Sequence, residues 1–314
     1  MSLAFIFPGQ GSQSVGMLSE LAQHYPQVKV CFAEASDVLG RDLWSLCTNG
    51  PVDELNQTQN TQPVMLTAGV AIWRLWQNQG GPSASFMAGH SLGEYAALVC
   101  SGAINFADGL SLVEARAKYM QEAVPVGAGG MAAILGLDDD QVREVCKDAA
   151  NGEVLEAVNF NSPGQVVVAG TQSAVDRAAK KAKAAGAKRA IVLPVSVPSH
   201  CALMQPAADR LAVRLADLDI KALQTPVINN VDVEVANGPE AIKQALVRQL
   251  HSPVRWVESV QKMVAQGVDH MIEAGPGKVL TGLNKRIDRS IATLAVYDGE
   301  TFNTALATCT GKSG

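Results

Sequence analysis

The strongest chemical signal in this sequence is a serine between two glycines, Gly89-His90-Ser91-Leu92-Gly93. Ser85-Phe86-Met87-Ala88 before it reads as a short buried strand, and Tyr95-Ala96-Ala97-Leu98-Val99-Cys100 after it continues as a helix. Gly-x-Ser-x-Gly at a strand-to-helix turn is a nucleophile elbow: the serine backbone is strained, and side-chain-free neighbours let strand and helix close around it. A hydroxyl held there lies at a helix N-terminus, where unpaired N–H groups and the positive end of the helix dipole favour an oxyanion. The bland alternative is a helix-capping serine between two turn glycines, so the motif has to be weighed with its partners.

A serine nucleophile needs a base. Of the five histidines, His24 and His270 lack a supporting context, His251 precedes Ser-Pro in a loop, and the His90 side chain must leave in a different direction from its neighbour Ser91. His200 follows the rigid Val197-Pro198-Ser199 turn, which can hold an imidazole at a site, although a satisfied histidine at a helix start fits too. Cys201 is a rival nucleophile without an elbow. On the helix expected over 110–123, Arg116 shares a face with Leu112, Val113, Tyr119, Met120 and Ala123. A guanidinium in an apolar stripe is costly unless an anion meets it, and Glu114 and Glu122 fall off that face. Its partner is either a distant structural carboxylate or a ligand carboxylate.

Composition bounds the rest. In 314 residues, 47% are hydrophobic and 18% charged, a globular chain with a large core and about two domains. The net charge of −5 argues against a general nucleic-acid binder. Six cysteines without a C-x-x-C pair indicate neither a metal site nor a disulfide framework, and free thiols fit a reducing cytoplasm. The N-terminus reads as a strand, not a signal peptide, and the apolar runs are too interrupted to span a bilayer.

The elements that must position these residues follow from periodicity. A buried strand over 3–7 runs into Pro8-Gly9-Gln10-Gly11-Ser12-Gln13, a loop at the carboxyl end of a strand, where open α/β sheets place ligand-binding groups. It lacks the third glycine and the acidic residue of a dinucleotide fingerprint, and Gly275-Pro276-Gly277-Lys278 is not a phosphate-binding loop. Helical patterning covers 18–46, and Asn60-Thr61-Gln62-Pro63 is expected to cap a long apolar helix over 64–76. After Pro125 the pattern is strand 131–137, a helix opened by Asp138, strands 154–158 and 166–169 about Ser162-Pro163-Gly164, helix 173–185 and strand 190–195. That βαββαβ order is the ferredoxin-like split unit. Strand 226–231, helices 239–250 and 254–265, strand 270–273 and a further helix complete the chain, with a frayed tail expected from Thr308.

Taken together, Phe7-Pro8-Gly9-Gln10-Gly11-Ser12-Gln13, Gly89-His90-Ser91-Leu92-Gly93-Glu94, Arg116, Asn159-Phe160-Asn161-Ser162-Pro163-Gly164-Gln165, Val195-Ser196-Val197-Pro198-Ser199-His200 and Glu273-Ala274-Gly275-Pro276-Gly277-Lys278-Val279-Leu280 resemble the malonyl-CoA:acyl carrier protein transacylases of bacterial fatty acid synthesis, over nearly the whole chain. The resemblance implies an α/β fold: an α/β-hydrolase-like catalytic domain from 1–124 and 198–314, carrying the ferredoxin-like small domain over 125–197. It implies a Ser91–His200 dyad whose imidazole is oriented by the backbone carbonyl of Gln249, an oxyanion hole from the N–H groups of Gln10 and Leu92, and Arg116 as receptor for the malonyl carboxylate. The implied reaction is ping-pong transfer from malonyl-CoA to the phosphopantetheine thiol of acyl carrier protein, without metal or cofactor, in the cytoplasm. Ser199 stands where malonyl-specific synthase-embedded relatives often carry Phe. An acidic chain needs local basic patches to dock an acidic carrier protein, and two clusters qualify: Lys180, Lys181, Lys183, Lys188 and Arg189, and Lys285, Arg286 and Arg289. The rival readings are a serine esterase or thioesterase, which has no use for a buried arginine, a patatin-like hydrolase pairing Ser91 with Asp298, and a non-enzymatic interaction protein.

Overall fold

Strands alternate with helices along most of the chain in a computed structural model that describes residues 1–195 and 197–311. Ser196 of the return motif and Lys312, Ser313 and Gly314 of the tail lie outside the described residues. The strands are β1 Leu3–Phe7, β2 Phe86–Gly89, β3 Gly129–Leu135, β4 Leu155–Ser162, β5 Gln165–Thr171, β6 Arg189–Val192, β7 Val227–Ile228, β8 His270–Ala274 and β9 Ala292–Val296. One sheet, ordered β7-β2-β1-β8-β9, is parallel throughout; the other, ordered β4-β5-β3-β6, is antiparallel.

The parallel sheet is covered on both faces, which is why β1 is an unbroken apolar run. Side-chain alternation sends Leu3, Phe5 and Phe7 to one face, against Trp73 and Trp76 of the long helix Thr58–Asn78, and Ala4 and Ile6 to the other, against Trp256, Val260 and Met263. In the antiparallel sheet Ala132, Ile134, Val166 and Val168 pack on helices Asp139–Ala150 and Gln172–Ala184. Its opposite face, through Met131, Val158, Val167 and Ala169, covers Cys201 beside the His200 loop. The antiparallel sheet therefore packs on the segment that carries His200.

Three expected elements differ from the sequence pattern, and two elements, β9 and the helix Gln205–Ala216, have no counterpart in it. The long helix begins at Thr58, not after Pro63, and Pro63 lies within it. A proline leaves the carbonyl four residues earlier without its helical donor, and here the Gln59 carbonyl accepts from Arg41 Nη2 at 3.1 Å instead. The strand expected over 226–231 stops after Ile228, because the following N–H groups leave the sheet: Asn229 N–H donates to the Glu234 carbonyl, Asn230 N–H to the Glu94 side chain, and Val231 and Asp232 N–H to the Asn229 side chain. The tail does not fray at Thr308; a helix spans Gly299–Thr310, opened by a reciprocal cap between Asp298 and Thr301. Among the described residues no helix is long and apolar enough to cross a membrane.

Candidate active site

Ser91 sits between β2 and helix Leu92–Cys100 with φ 52° and ψ −108°, a strained conformation for a residue with a side chain. Close approach explains both flanking glycines. A Cβ on Gly89 would stand 1.8 Å from the Gly93 carbonyl carbon, and one on Gly93 would stand 2.0 Å from the Phe7 carbonyl oxygen. Hydrogen bonds clamp the elbow on each side. Ser91 N–H donates to Asn230 Oδ1 at 2.7 Å, Asn230 Nδ2 donates to the Gly89 carbonyl at 2.7 Å, and Gln249 Nε2 donates to the Ser91 carbonyl at 3.1 Å.

The hydroxyl of Ser91 lies 2.7 Å from His200 Nε2. On the far side of the ring, Nδ1 is 2.6 Å from the Gln249 carbonyl, which can only accept, so Nδ1 carries the proton and Nε2 is the acceptor for the serine O–H. A carbonyl thus fixes the tautomer that a carboxylate fixes in a triad. His200 has φ 68°, and its N–H donates to the Leu250 carbonyl at 2.9 Å, so the loop delivers the ring at the cost of a left-handed backbone. Burial, followed by the positive charge of Arg116, pushes His200 down to about 3, and the ring is a neutral base at neutral pH.

Arg116, on helix Phe106–Ala123, is fully buried. Its Nη1 donates to Gln62 Oε1 at 2.8 Å, and its Nη2 donates to Gln249 Oε1 at 3.1 Å and to Ser91 Oγ at 3.2 Å. The guanidinium lies 5.2 Å from the Tyr95 ring centroid. Among the described residues no carboxylate pairs with it and its Nε is without a partner. Glu114 and Glu122, which the spacing placed off that face, are engaged by Arg41 and Arg210.

Leu92 opens the helix, and among the described residues its N–H has no backbone acceptor, whereas Gly93 and Glu94 donate to the His90 and Ser91 carbonyls. Gln10 lies in the loop after β1, which lies against the elbow: His90 N–H donates to the Phe7 carbonyl at 2.9 Å, and Gln10 Oε1 accepts from Thr58 Oγ1 at 2.9 Å. Ser91 and Gln249 are therefore in contact with each other and each with His200 and Arg116, with Leu92 adjoining. Cys201 is buried, its thiol pushed up to about 12 by burial and bonded to the Pro198 carbonyl at 3.2 Å, so it is no rival nucleophile. Asp298 caps a helix and does not serve Ser91.

Sequence reasoning missed Gln62, Glu94 and Asn230, and gave Gln249 only a backbone role. Each carried a faint signal: Glu94 is a lone charge in an otherwise apolar helix, and Asn230 follows the carboxyl end of a strand. His90 turns away from the nucleophile, as its position demands, and lies 2.7 Å from Asn161 of β4. Lys285 and Arg286 are exposed in the last turn of helix Val279–Ile287, and Arg286 reaches Gln165 of β5 at 2.9 Å. Lys181 pairs with Asp148 at 3.8 Å, and Arg189 is exposed on β6. The described residues hold no cluster of side chains that could ligate a metal.

Comparison with known proteins places this arrangement. Residues 4–298 match the acyl transferase domain family. The malonyl CoA-acyl carrier protein transacylase of Salmonella typhimurium is 60% identical over 303 residues, 96% of this chain and 98% of that relative. The protein of the same name from Bacillus subtilis is 46% identical over 98% of this chain and 96% of its own length. Among solved structures, a malonyl-transacylase in complex with a type II PKS acyl-carrier protein superposes with a TM-score of 0.97 at 56% identity, covering 98% of this chain and all of that one. An acyl carrier protein S-malonyltransferase from Vibrio cholerae superposes with a TM-score of 0.95 at 59% identity, covering 97% and 99%.

Proposed function

This chain belongs to the malonyl CoA-acyl carrier protein transacylases, and from that premise we propose that it transfers malonyl from malonyl-CoA to the phosphopantetheine thiol of acyl carrier protein through an ester on Ser91, supplying extender units for fatty acid biosynthesis. The observation that carries the substrate is the buried Arg116, free of any carboxylate among the described residues and 3.2 Å from the nucleophile. In a malonyl group the carboxylate and the thioester carbonyl are separated by a single carbon, two C–C bonds or about 2.5 Å. A carboxylate anchored on Arg116 therefore brings its own acyl carbon to Ser91, whereas a longer dicarboxylic chain overshoots.

The steps follow from the hydrogen bonds. Ser91 Oγ attacks the thioester carbon while its proton passes to His200 Nε2. The Leu92 N–H and, on the other side, the Gln10 N–H hold the oxyanion; Ser91's own N–H is already committed to Asn230. The C–S bond breaks, and the coenzyme A sulfur takes the proton from His200. In the second half the carrier-protein thiol gives its proton to His200 and attacks the malonyl-Ser91 carbonyl; the acyl C–O bond breaks, and the serine oxygen takes that proton back from His200. The Gln249 carbonyl keeps the ring oriented throughout.

The chain divides into a catalytic domain, 1–124 and 198–314, and a small domain, 125–197, with carrier protein entering between them. The contact of Arg286 with Gln165 of the small sheet favours docking at Lys285 and Arg286, while Lys181 is partly neutralised by Asp148. The cytoplasm is its site of action. Initial rates with malonyl-CoA and a holo acyl carrier protein test the reading: parallel double-reciprocal lines support it, and intersecting lines, which mean direct transfer in a ternary complex, overturn it.

A further inference from the structure

Glu94 is the third residue of the helix that Ser91 begins, and it is buried. One of its oxygens, Oε2, accepts both the Asn230 N–H at 2.9 Å and Gln249 Nε2 at 2.9 Å. Those two residues between them hold everything that reacts. Asn230 clamps the strained Ser91 N–H and the Gly89 carbonyl, and Gln249 holds the Ser91 carbonyl, the Arg116 guanidinium and, through its own carbonyl, the His200 ring. The Gln249 amide also lies between a cation and an anion: Arg116 donates to its Oε1, and its Nε2 donates to Glu94. The counter-charge to Arg116 is thus relayed through a neutral side chain, and the guanidinium itself is left without an anion.

A buried carboxylate with no cation in contact is costly to the fold. A glutamine would offer the same accepting oxygen for both contacts, so packing alone gives no reason for a charge. We propose that Glu94 is the positioning residue of acyl transfer: as a carboxylate it anchors Asn230 and Gln249 and balances Arg116 through the Gln249 amide, aligning Ser91 and His200 while Arg116 stays open to the acyl carboxylate. This rests on the transfer reading above.

Titration gives the inference an independent readout. Burial pushes Glu94 up to about 7, against the Gln249 and Asn230 hydrogen bonds and the Arg116 charge that favour ionisation, with Asp232 adding repulsion. Arg116, Tyr95 and Asp232, the last paired with Arg248, are the ionisable groups around it. His200, already neutral well below pH 7, contributes no step there. Of these groups Glu94 is the one placed near neutrality, so a fall in acylation rate as pH drops through neutrality that is absent when Glu94 is replaced by glutamine is the signature of its protonation.

The test is Glu94→Gln in the whole chain, following single-turnover formation of the Ser91 ester from malonyl-CoA across neutral pH. Wild type should rise through about pH 7. The variant should be flat at the acid-side level, about tenfold below the alkaline plateau, a typical loss for one interaction with a charged group. Its rate constant should fall more than its half-saturation changes, and it should melt higher than wild type at alkaline pH, because an uncompensated charge is gone. Equal rates, a retained step at pH 7, or a lower melting temperature with the loss would overturn the inference and make Glu94 a structural residue. In wild type alone, the infrared band of a protonated carboxylic acid should vanish as pH rises through neutrality; no such change would also overturn it. If wild type forms no ester at all, the transfer reading falls, and the inference with it.

Discussion

Replacing Arg116 with methionine keeps most of the side-chain volume and removes the guanidinium, so the variant isolates the charge-assisted contact with the acyl carboxylate. Two consequences have different sizes. Malonyl-CoA loses its anchor in a site where Arg116 is 1% exposed, a loss of about 3–5 kcal/mol for a buried pair broken on one side. That corresponds to roughly 10²-fold to several 10³-fold in the second-order acylation constant. Acetyl-CoA has no carboxylate and loses only the contact of Nη2 with Ser91 Oγ at 3.2 Å, about 1 kcal/mol or several-fold. Gln62 and Gln249 also each lose a donor, which lowers stability for both substrates alike. The ratio of malonyl to acetyl acylation cancels that common damage. It is measured by rapid-quench mass spectrometry with each thioester separately, and it should fall by roughly 10²-fold. An unchanged ratio, with both substrates slowed equally, would make Arg116 a structural arginine and refute the assignment.

The other expectations are more local. Asn230→Ala frees the Ser91 N–H and the Gly89 carbonyl at the strained elbow; urea unfolding should show a loss of about 1–3 kcal/mol per group left unpaired, and a wild-type midpoint would show the clamp to be idle. Lys285 and Arg286 both changed to Glu should raise KM for carrier protein and flatten its salt dependence while leaving Ser91 acylation by malonyl-CoA unchanged; an unaltered carrier-protein step removes them from the docking surface. For stability against pH, Glu94 is raised from 4.5 to about 7 in the fold, so folded protein binds more protons than unfolded chain in that window and its contribution is lost as pH rises through 7. Unfolding of Glu94→Gln should therefore gain on wild type from about pH 4.5 to about pH 7, by about 3 kcal/mol at the alkaline end; a constant difference would contradict the raised carboxyl.

The legible parts of this chain were those set by local rules. The elbow needs two glycines because Phe7 and Gly93 leave no room for a Cβ, and Arg116 betrayed itself as a charge on an apolar face. The βαββαβ alternation of the small sheet was readable for the same reason, each helix and strand carrying its own period. What escaped was set by tertiary exchange. Pro63 marks a helix start by rule, yet Arg41 supplies the donor that Pro63 removes, and the helix runs through it. The strand at Val227 ends early because Glu94, 133 residues before it, takes the Asn230 N–H. Gln62, Asn230 and the Gln249 side chain act only through partners distant in sequence, and polar residues in such places look like any others until the fold brings them together.

The proposed reaction passes through a covalent malonyl ester on one serine. Incubation of the intact chain with malonyl-CoA, without carrier protein, followed by intact-mass measurement and peptide mapping, tests it most directly. The expected result is a single malonyl adduct on the peptide bearing Ser91, discharged when holo carrier protein is added and absent in Ser91→Ala. An adduct that persists in that variant, or one mapped to Cys201, would contradict it.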